Sequence, residues 1–381
     1  MNLPRAVEPL ERKNMTSNCH EPGTIREAGE AYLLRNEQNG LTVYDRREHL
    51  YYFYEGVCIG DLAGGTVPPE PYIRRFMAEN KDRLTKNVRS DSPFSICWLI
   101  SGNCNLDCVY CFAEDKMRAE AAAAPDEMAT ARHLLGLNPL SISLTGGEPT
   151  LNPRLEEVLR FFRGKAGTVL DTNGTTPQLE KLIPALKEAG TAVRLTVDIL
   201  DDEILSRVRP RRGAGSRGAG GTAVPQCEIL RRNIRALTEA GIPTVIHTVL
   251  TRYNIGRLDA TAEELAGMGV KRWHFYAVNY SEKCSAFYDS IKVSRQEACA
   301  YTDTLIERYG DRLKITCPRN DIGNRERAVL LVDSRGRFLV DTIYSGCLSL
   351  GKNPCFPEKE EIMAGLDFEL HKQAYLCNFW E

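Results

Sequence analysis

The strongest constraint on the fold is a regular alternation of β-rich and helical segments that begins near Ser95 of this 381-residue chain. Strands separated by helices at this spacing pair in parallel through right-handed crossovers. The chain is therefore predicted to be an α/β protein with a partial (β/α)6 barrel. The predicted strands cover residues 95–100, 141–145, 168–171, 193–198, 244–250 and 272–278, and the predicted helices cover about 126–136, 155–163, 178–189, 226–240, 257–268 and 294–309.

A small α+β extension is predicted before the barrel, over residues 1–90. An Asn39-Gly40 turn signal separates two β-rich runs, which is typical of a hairpin, and residues 70–88 have a helical pattern. Residues 1–25 mix charge, Pro and Gly without any period, so we expect them to be poorly ordered in part.

The barrel is predicted over residues 91–310, and an irregular C-terminal extension is predicted over 311–381. The extension should contain a hairpin with a turn at Ser334-Arg335-Gly336, then a cysteine-containing loop and a terminal helix. Inside the barrel, the Arg- and Gly-rich stretch 211–223 is of low complexity, and we expect it to be a mobile loop.

Charge and hydropathy argue against two classes of function. The net charge of −2 at pH 7 disfavours nonspecific binding to nucleic acid. No apolar run approaches the length of a membrane span, and the charged start of the chain lacks the pattern of a signal peptide. We therefore expect a cytoplasmic protein with neither a nucleic-acid nor a membrane partner.

The 13 cysteines do not resemble a disulfide framework. Their number is odd, and they are scattered through a long chain without a secretory signal. A reducing cytoplasm is the compartment that fits this usage. Five of them have apolar or helical neighbours and are expected to be buried thiols, since free cysteine packs as a small hydrophobe: Cys58, Cys97, Cys227, Cys284 and Cys299.

Three other cysteines lie in the run CNLDCVYC at 104–111, directly after the first predicted strand. Functional groups of β/α barrels lie at the carboxyl ends of the strands, which is where this run falls. With the spacing C-x3-C-x2-C, Cys104, Cys108 and Cys111 can hold one iron–sulfur cube and leave its fourth iron without a protein ligand. The alternatives are simple burial or a zinc knuckle, although structural zinc sites need four ligands and no His lies in the loop.

A glycine-rich turn follows the second predicted strand, on the same rim. Gly146 and Gly147 allow the backbone to approach a ligand without a Cβ in the way. Glu148 places an acceptor where an ammonium group could dock, and Pro149 fixes the turn.

Together, CNLDCVYC at 104–111, TGGEPT at 145–150 and the β/α alternation to about residue 305 resemble the radical S-adenosylmethionine (radical SAM) enzymes. The resemblance implies a partial (β/α)6 barrel of the radical SAM type. It also implies that the three cysteines ligate a [4Fe–4S] cluster and that Tyr110 packs beside the adenine of SAM. Gly146, Gly147 and Glu148 match the segment that meets the methionine amino group.

Three further residues are assigned to SAM by the same resemblance. The turn TNGT at 172–175 is similar to a ribose-contacting segment, with Asn173 as the contact, although a simple Asn-Gly turn is the alternative. Asp198 ends the fourth strand, where family members often place a polar residue near SAM or substrate. Beyond Asp198 lies a run of arginines, at Arg207, Arg209, Arg211, Arg212 and Arg217. One of them could clamp the methionine carboxylate, because a guanidinium fork matches that group, and Arg209 is the choice. A solvated basic loop is the alternative for the others.

The resemblance implies a reaction but not its substrate. An electron from the reduced cluster cleaves SAM, and the resulting 5′-deoxyadenosyl radical abstracts hydrogen from an organic substrate, with flavodoxin or ferredoxin as the electron donor. The substrate is either a ribosomal peptide precursor or a small molecule. For a peptide, the N-terminal extension could hold the leader by strand addition to its hairpin edge, and the alternatives for this extension are a lid or a dimer contact. The contrasting function is a non-catalytic iron–sulfur scaffold or redox sensor.

Four C-terminal cysteines raise the question of a second cluster. The run 330–340 resembles the hairpin that opens SPASM or twitch extensions, which often carry auxiliary clusters. However, Asp341-Thr342 stands where the first cysteine of such an extension is expected, and no C-x2-C pair follows. This departure argues against a second cluster formed by Cys317, Cys347, Cys355 and Cys377.

Polar and aromatic residues of the last two barrel strands could face the substrate. His247 and Tyr276 are candidates for the interior, with ordinary burial as the alternative for His247. Strand alternation points either His274 or the pair Trp273 and Phe275 inward, and the sequence does not decide between them.

Overall fold

A four-stranded antiparallel sheet forms the N-terminal part of the molecule. The computed structural model describes residues 21–63, 68–111, 113, 126–212, 224–317, 327–341 and 347–376. The strands of this first sheet are β1 (Ile25–Ala28), β2 (Tyr32–Asn36), β3 (Gly40–Asp45) and β4 (Leu50–Glu55), paired in chain order. The predicted hairpin is confirmed as the β2–β3 pair.

Two helices of the N-terminal region follow this sheet, at Ile59–Ala63 and Glu70–Glu79. The helix predicted over 70–88 is shorter than expected. The chain leaves it at Asn80, whose side-chain amide donates to the carbonyl of Phe76 at 2.9 Å. A 3-10 turn then covers Lys81–Arg83.

The larger sheet has ten strands, and its centre is the predicted β/α alternation. Six parallel strands pair in chain order, which confirms the α/β fold with a partial barrel. They are β5 (Ser95–Ser101), β6 (Ser141–Gly146), β7 (Gly167–Thr172), β8 (Ala192–Thr196), β9 (Thr244–Leu250) and β10 (Arg272–Ala277). The predicted helices appear at Glu127–Gly136, Leu155–Phe162, Gln178–Ala189, Gln226–Glu239, Asp259–Gly267 and Arg295–Tyr309.

The helix Asp202–Val208, which follows β8, was missed by the sequence analysis. Its signal was present, because Asp201 precedes it and accepts hydrogen bonds from the amides of Glu203 and Ile204. An aspartate in that position is a strong helix N-cap.

The C-terminal region supplies strands to both edges of the large sheet. On one edge, β11 (Lys314–Thr316) pairs in parallel with β10. On the other edge, β12 (Leu330–Val332) pairs in parallel with β5, and β13 (Phe338–Asp341) and β14 (Cys347–Ser349) follow in antiparallel order. The β12–β13 pair confirms the predicted hairpin, and helices at Lys359–Gly365 and Phe368–Tyr375 end the described chain.

One face of the large sheet packs on the helices and forms the main core. Trp98, Phe162, Trp273 and Phe275 are buried in it. Their burial answers the open question about β10, since Trp273 and Phe275 face the helices and His274 lies on the opposite face. No helix in the described ranges is both long enough and apolar enough to cross a membrane.

The N-terminal sheet packs against the amino ends of the barrel strands. The hydroxyl of Tyr51 lies 2.5 Å from that of Ser141, the first residue of β6. Tyr44 lies so close to Gly167, the first residue of β7, that a Cβ there would overlap its ring. Arg35 donates to the carbonyl oxygens of Pro93 and Asn138 at 2.8 and 2.9 Å. The sheet therefore closes this end of the barrel.

Some sequence predictions fall outside the described residues, namely the order of residues 1–20, most of the loop 211–223, and Cys377. Of the five thiols expected to be buried, Cys58, Cys227 and Cys284 are buried, whereas Cys97 and Cys299 are half-buried.

Candidate functional site

The cysteine loop follows β5 and is held by the segment after the helix Asp202–Val208. Asp107 N donates to Pro210 O at 2.8 Å, and Val109 N donates to Val208 O at 3.0 Å. In the reverse direction, the amide of Arg212 donates to the carbonyl of Asn105 at 2.9 Å. This ladder, which also includes an isolated bridge between Leu106 and Arg211, fixes the backbone between the three cysteines.

The three thiols are half-exposed, and their surroundings fit a metal cluster. Cys104 Sγ accepts from Leu106 N at 3.4 Å. Burial raises the pKa of Cys108 to about 12 and also raises that of Cys104, so binding of a metal would have to displace protons from these sulfurs.

Three thiols from one short loop are the donor chemistry of an iron–sulfur cube. Throughout the described parts of the chain, no three His, Cys, Asp or Glu side chains converge tightly enough to hold a single metal ion. The cysteines of a [4Fe–4S] cube each bind a different iron, so they need not converge on one point. The donor set of Cys104, Cys108 and Cys111 therefore fits the cluster implied by the sequence.

The glycine turn after β6 lies directly against the start of the cysteine loop. Gly146 has φ of +137°, and a Cβ there would overlap the carbonyl oxygen of Ser101. A Cβ on Gly147 would overlap the carbonyl oxygen of Asn103 and lie 3.0 Å from the Cβ of Cys104. Both positions thus require glycine, because the two loops pack backbone to backbone.

Glu148 is fully buried and links β6 to the end of β7. Its Oε1 accepts from the amide and hydroxyl of Thr150 at 3.1 and 2.6 Å and from the hydroxyl of Thr172 at 2.7 Å. Its Oε2 accepts from Asn173 N at 2.8 Å. Burial raises the pKa of this carboxyl, and the hydrogen bonds oppose that shift. Its contact with the amino group of SAM stays a prediction.

The side chain of Asn173 joins two loops of the site, and its contact with the ribose of SAM stays a prediction. The Nδ2 donates to Asn105 Oδ1 at 2.7 Å and lies 3.9 Å from Cys104 Sγ. The Oδ1 accepts from the amide and hydroxyl of Thr175 at 2.9 and 2.7 Å. Asn105 and Thr175 were missed by the sequence analysis, although both lie within the two motifs.

Asp198 and Arg209 form a buried pair beneath the cysteine loop. Asp198 accepts a short hydrogen bond from the hydroxyl of Tyr110 and a 2.9 Å bond from Val249 N. Burial raises the pKa of Asp198, and the neighbouring Arg209 opposes that shift.

The guanidinium of Arg209 donates to the carbonyls of Thr196 and Asn173 at 2.6 and 2.8 Å. Its Nε is buried and makes no hydrogen bond to any described residue. Two of the three guanidinium nitrogens therefore bond to the ends of β7 and β8. The role of Arg209 toward the methionine carboxylate stays a prediction.

The inner face of the large sheet carries polar and charged side chains on five neighbouring strands. The inward positions of β6 to β10 carry Ser143, Asp171, Arg194, His247, His274 and Tyr276. The rings of His247 and Tyr276 lie 5.0 Å apart, and burial lowers the pKa of His274 to about 4 and that of His247 well below its usual value. Both imidazoles are therefore neutral at pH 7.

The Asp171–Arg194 pair was not found from the sequence. Its signal was a charged residue at an inward position of each of two neighbouring strands. Such side chains are rare in a sheet interior unless they are paired.

The C-terminal cysteines lie on different elements. Cys317 follows β11 at one edge of the sheet, and Cys347 begins β14 at the other. Cys355 is half-buried, and its Sγ donates to the carbonyl of Arg335 at 3.7 Å. The prediction of a single cluster stays open to test.

One family model matches most of the barrel. The family model described as "Radical SAM superfamily" matches residues 98–265. This range includes the cysteine loop, the glycine turn and strands β6 to β9.

Curated relatives share this region at modest identity. A probable GTP 3′,8-cyclase of Methanococcus aeolicus is 28% identical over 220 residues, which cover 55% of this chain and 68% of the relative. An Fe-coproporphyrin III synthase of Methanosarcina barkeri is 27% identical over 257 residues, which cover 66% of this chain and 61% of the relative. The chain spans between about one third and two thirds of the curated relatives that it matches.

Solved structures share the fold over most of the chain. SuiB of Streptococcus suis, bound to S-adenosylmethionine, superposes with a TM-score of 0.55 at 17% identity over 82% of each chain. The protein anSMEcpe, with bound AdoMet and the Kp18Cys peptide, gives a TM-score of 0.54 at 18% identity over 75% of this chain and 83% of its own.

Proposed function

We propose that this chain, an enzyme of the radical SAM superfamily, abstracts hydrogen from an organic substrate held inside its barrel. The family uses a [4Fe–4S] cluster and SAM, which together supply a 5′-deoxyadenosyl radical when both are bound. The observation that carries the proposal is the packing of the three-cysteine loop against the two glycines that follow β6.

The side chains around this edge would hold and orient the two cofactors. Cys104, Cys108 and Cys111 would hold three irons, and Gly146 and Gly147, which pack against the cysteine loop, would bring the backbone of the turn close to SAM. We assign the contacts with SAM to residues that lie on the same rim, namely Tyr110, Glu148, Asn173, Asp198 and Arg209.

The barrel would also separate the reaction from other hydrogen donors. The N-terminal sheet closes its amino end through Tyr51 and Arg35, so a substrate would enter from the rim that carries the cysteines. A reactive primary radical needs such a closed pocket, because it would otherwise take hydrogen from neighbouring groups.

Two substrate classes have support of different kinds. A small molecule is favoured by the curated relatives, whose names specify a nucleotide and a tetrapyrrole product. A ribosomal peptide is favoured by solved structures of the same fold that contain a precursor peptide or a substrate peptide. A short precursor-peptide reading frame beside the gene would favour the second class.

The electron donor and the compartment belong to the same proposal. The cluster needs a low-potential electron, for which flavodoxin or ferredoxin is the expected source. We assign the protein to a reducing cytoplasm, where the buried thiols of Cys227 and Cys284 would stay reduced.

The test is anaerobic incubation of the reconstituted protein with SAM and dithionite. We expect about four iron atoms per chain and formation of 5′-deoxyadenosine. The triple variant Cys104→Ala/Cys108→Ala/Cys111→Ala should lose both, whereas Cys299→Ala, on a distant helix, should retain both. A full cluster without 5′-deoxyadenosine would contradict the proposal, and about eight iron atoms would contradict the single cluster.

A further inference from the structure

We propose that the barrel interior contains a carboxylate-binding site in which Arg194 is the anchor for an anionic group of the substrate. This inference rests on the proposed function and specifies the chemistry of the substrate. Arg194 lies on β8, away from the cysteine loop, and none of the cofactor contacts assigned above involves it.

The position of Arg194 inside the curved sheet follows from its partners. Its neighbour Leu195 is buried among the helices, so Arg194 lies on the opposite face. Its Nη2 reaches Ser143 Oγ, two strands away, at 2.9 Å. Arg194 also interacts electrostatically with Cys97 on β5 and Tyr276 on β10, which lie on opposite sides of it in the sheet. Only a side chain within the barrel can be near both.

The guanidinium of Arg194 is fixed by its partners but does not use all of its hydrogen-bond donors. Its Nε and Nη2 donate to the two oxygens of Asp171 at 2.5 and 2.6 Å. Its Nη1 makes no hydrogen bond within the described part of the chain, and the side chains of Arg194 and Asp171 stay 28% and 24% exposed. A group deep in a barrel can be this exposed only if there is space beside it. Arg194 therefore offers unused donors to that space.

The walls beside Arg194 fit a planar organic group. The rings of His247, His274 and Tyr276 lie next to one another, with centroids between 4.4 and 5.7 Å apart. His274 Nδ1 is engaged with Thr316 Oγ1 at 2.7 Å. Below them, the Nε2 of His49 is buried without a hydrogen-bond partner in the described chain. Ring stacking and nitrogen donors would complement a carboxylate on Arg194.

An anion fits this site better than a cation. Both oxygens of Asp171 already accept from Arg194, whereas the guanidinium has donors left over. The next charged side chain on the inner face, Arg272, is already paired with Glu48 at 3.3 Å. Both cations therefore have an acidic partner, and the preference for an anion rests on the donors that Arg194 has left over, which an amine-bearing substrate would not match.

The test measures binding of simple compounds to the full-length reconstituted protein without SAM, by isothermal titration calorimetry. Benzoate is expected to bind about ten-fold more tightly than benzamide or benzylamine, because only benzoate makes a charge-assisted bond with Arg194. Asp171→Asn removes the competing carboxylate and should raise the affinity for benzoate about three-fold or more. The double variant Asp171→Asn/Arg194→Met should reduce benzoate binding to the level of benzamide.

The surface pair Glu188→Gln/Arg163→Met is the matched control and should not change benzoate binding, since both side chains are exposed. Equal binding of benzoate and benzamide, tighter binding of benzylamine, or weaker benzoate binding by Asp171→Asn would each overturn the inference. If the double variant does not fold, the direction of the Asp171→Asn effect still decides.

The inference and the proposed function can fail separately. Wild-type protein that forms 5′-deoxyadenosine but does not prefer benzoate would overturn only the carboxylate site. Wild-type protein that prefers benzoate but forms no 5′-deoxyadenosine would overturn the proposed function on which the site's role depends.

Discussion

At the scale of single residues, Glu148 connects the glycine turn to the neighbouring strand. The sequence predicted an acceptor at this position, and the structure shows that four donors from Thr150, Thr172 and Asn173 already converge on its carboxylate. A buried carboxylate is stable there because its lone pairs are matched by donors. The charge at Glu148 therefore shapes the site even before any ligand binds.

Replacing Glu148 with Gln should lower the free energy of unfolding by about 2 kcal/mol, because the new amide would face donors on at least one side. Urea unfolding of the cluster-free protein would measure the loss. Glu156→Gln is the matched control, since Glu156 is exposed on the next helix, and it should change stability by no more than about 0.5 kcal/mol. Equal stability of the Glu148→Gln variant and the wild type would show that the hydrogen bonds are unimportant.

At the scale of elements, the helix Asp202–Val208 and its continuation support the cysteine loop. The backbone of the loop is tied to residues 208–212 by the hydrogen-bond ladder. Arg209 fastens this segment to β7 and β8 through two carbonyls. This role was not predictable from the run of arginines in the sequence, in which Arg207 and Arg209 look alike.

Arg209→Met should destabilise the protein by about 3 kcal/mol, because it leaves Asp198 as a buried charge without its cation. It should also reduce the amount of iron retained after reconstitution, since the cysteine loop loses support. Arg207→Met is the control, because Arg207 is exposed and paired with Glu203 on the surface, and it should be nearly neutral. Full stability with normal iron content in Arg209→Met would contradict this account of the loop.

At the scale of the whole molecule, the N-terminal sheet and the barrel form one packed unit. Arg35 is fully buried in the first sheet, where it pairs with Glu37 at 2.8 Å, and it also bonds carbonyls that flank β5 and β6. The extension therefore closes the amino end of the barrel and is not a separate module. Sequence patterns predicted its strands but gave no sign of the surface on which they pack.

Arg35→Met should destabilise the protein by about 3 kcal/mol, because it leaves the buried carboxylate of Glu37 without its cation and two carbonyls without their donor. Far-UV circular dichroism and tryptophan fluorescence should still report one shared unfolding transition in urea. Arg47→Met, at an exposed residue paired with Glu70, should leave the midpoint nearly unchanged. Two separate transitions in the wild type would contradict a single cooperative unit.

The sequence by itself determined the parallel β/α order, the three cysteines and the glycine turn, because hydrophobic periodicity and fixed short spacings are local properties of the chain. It placed Tyr110, Asn173 and Asp198 on one rim, since the carboxyl ends of parallel strands meet there. Only the tertiary structure decided what those side chains bond to.

Tertiary structure also decided that His274 faces inward and that Arg194 meets Asp171 inside the barrel. Such pairings depend on strand register and on how strongly the sheet curves, which are set by packing over the whole chain rather than by neighbours in sequence.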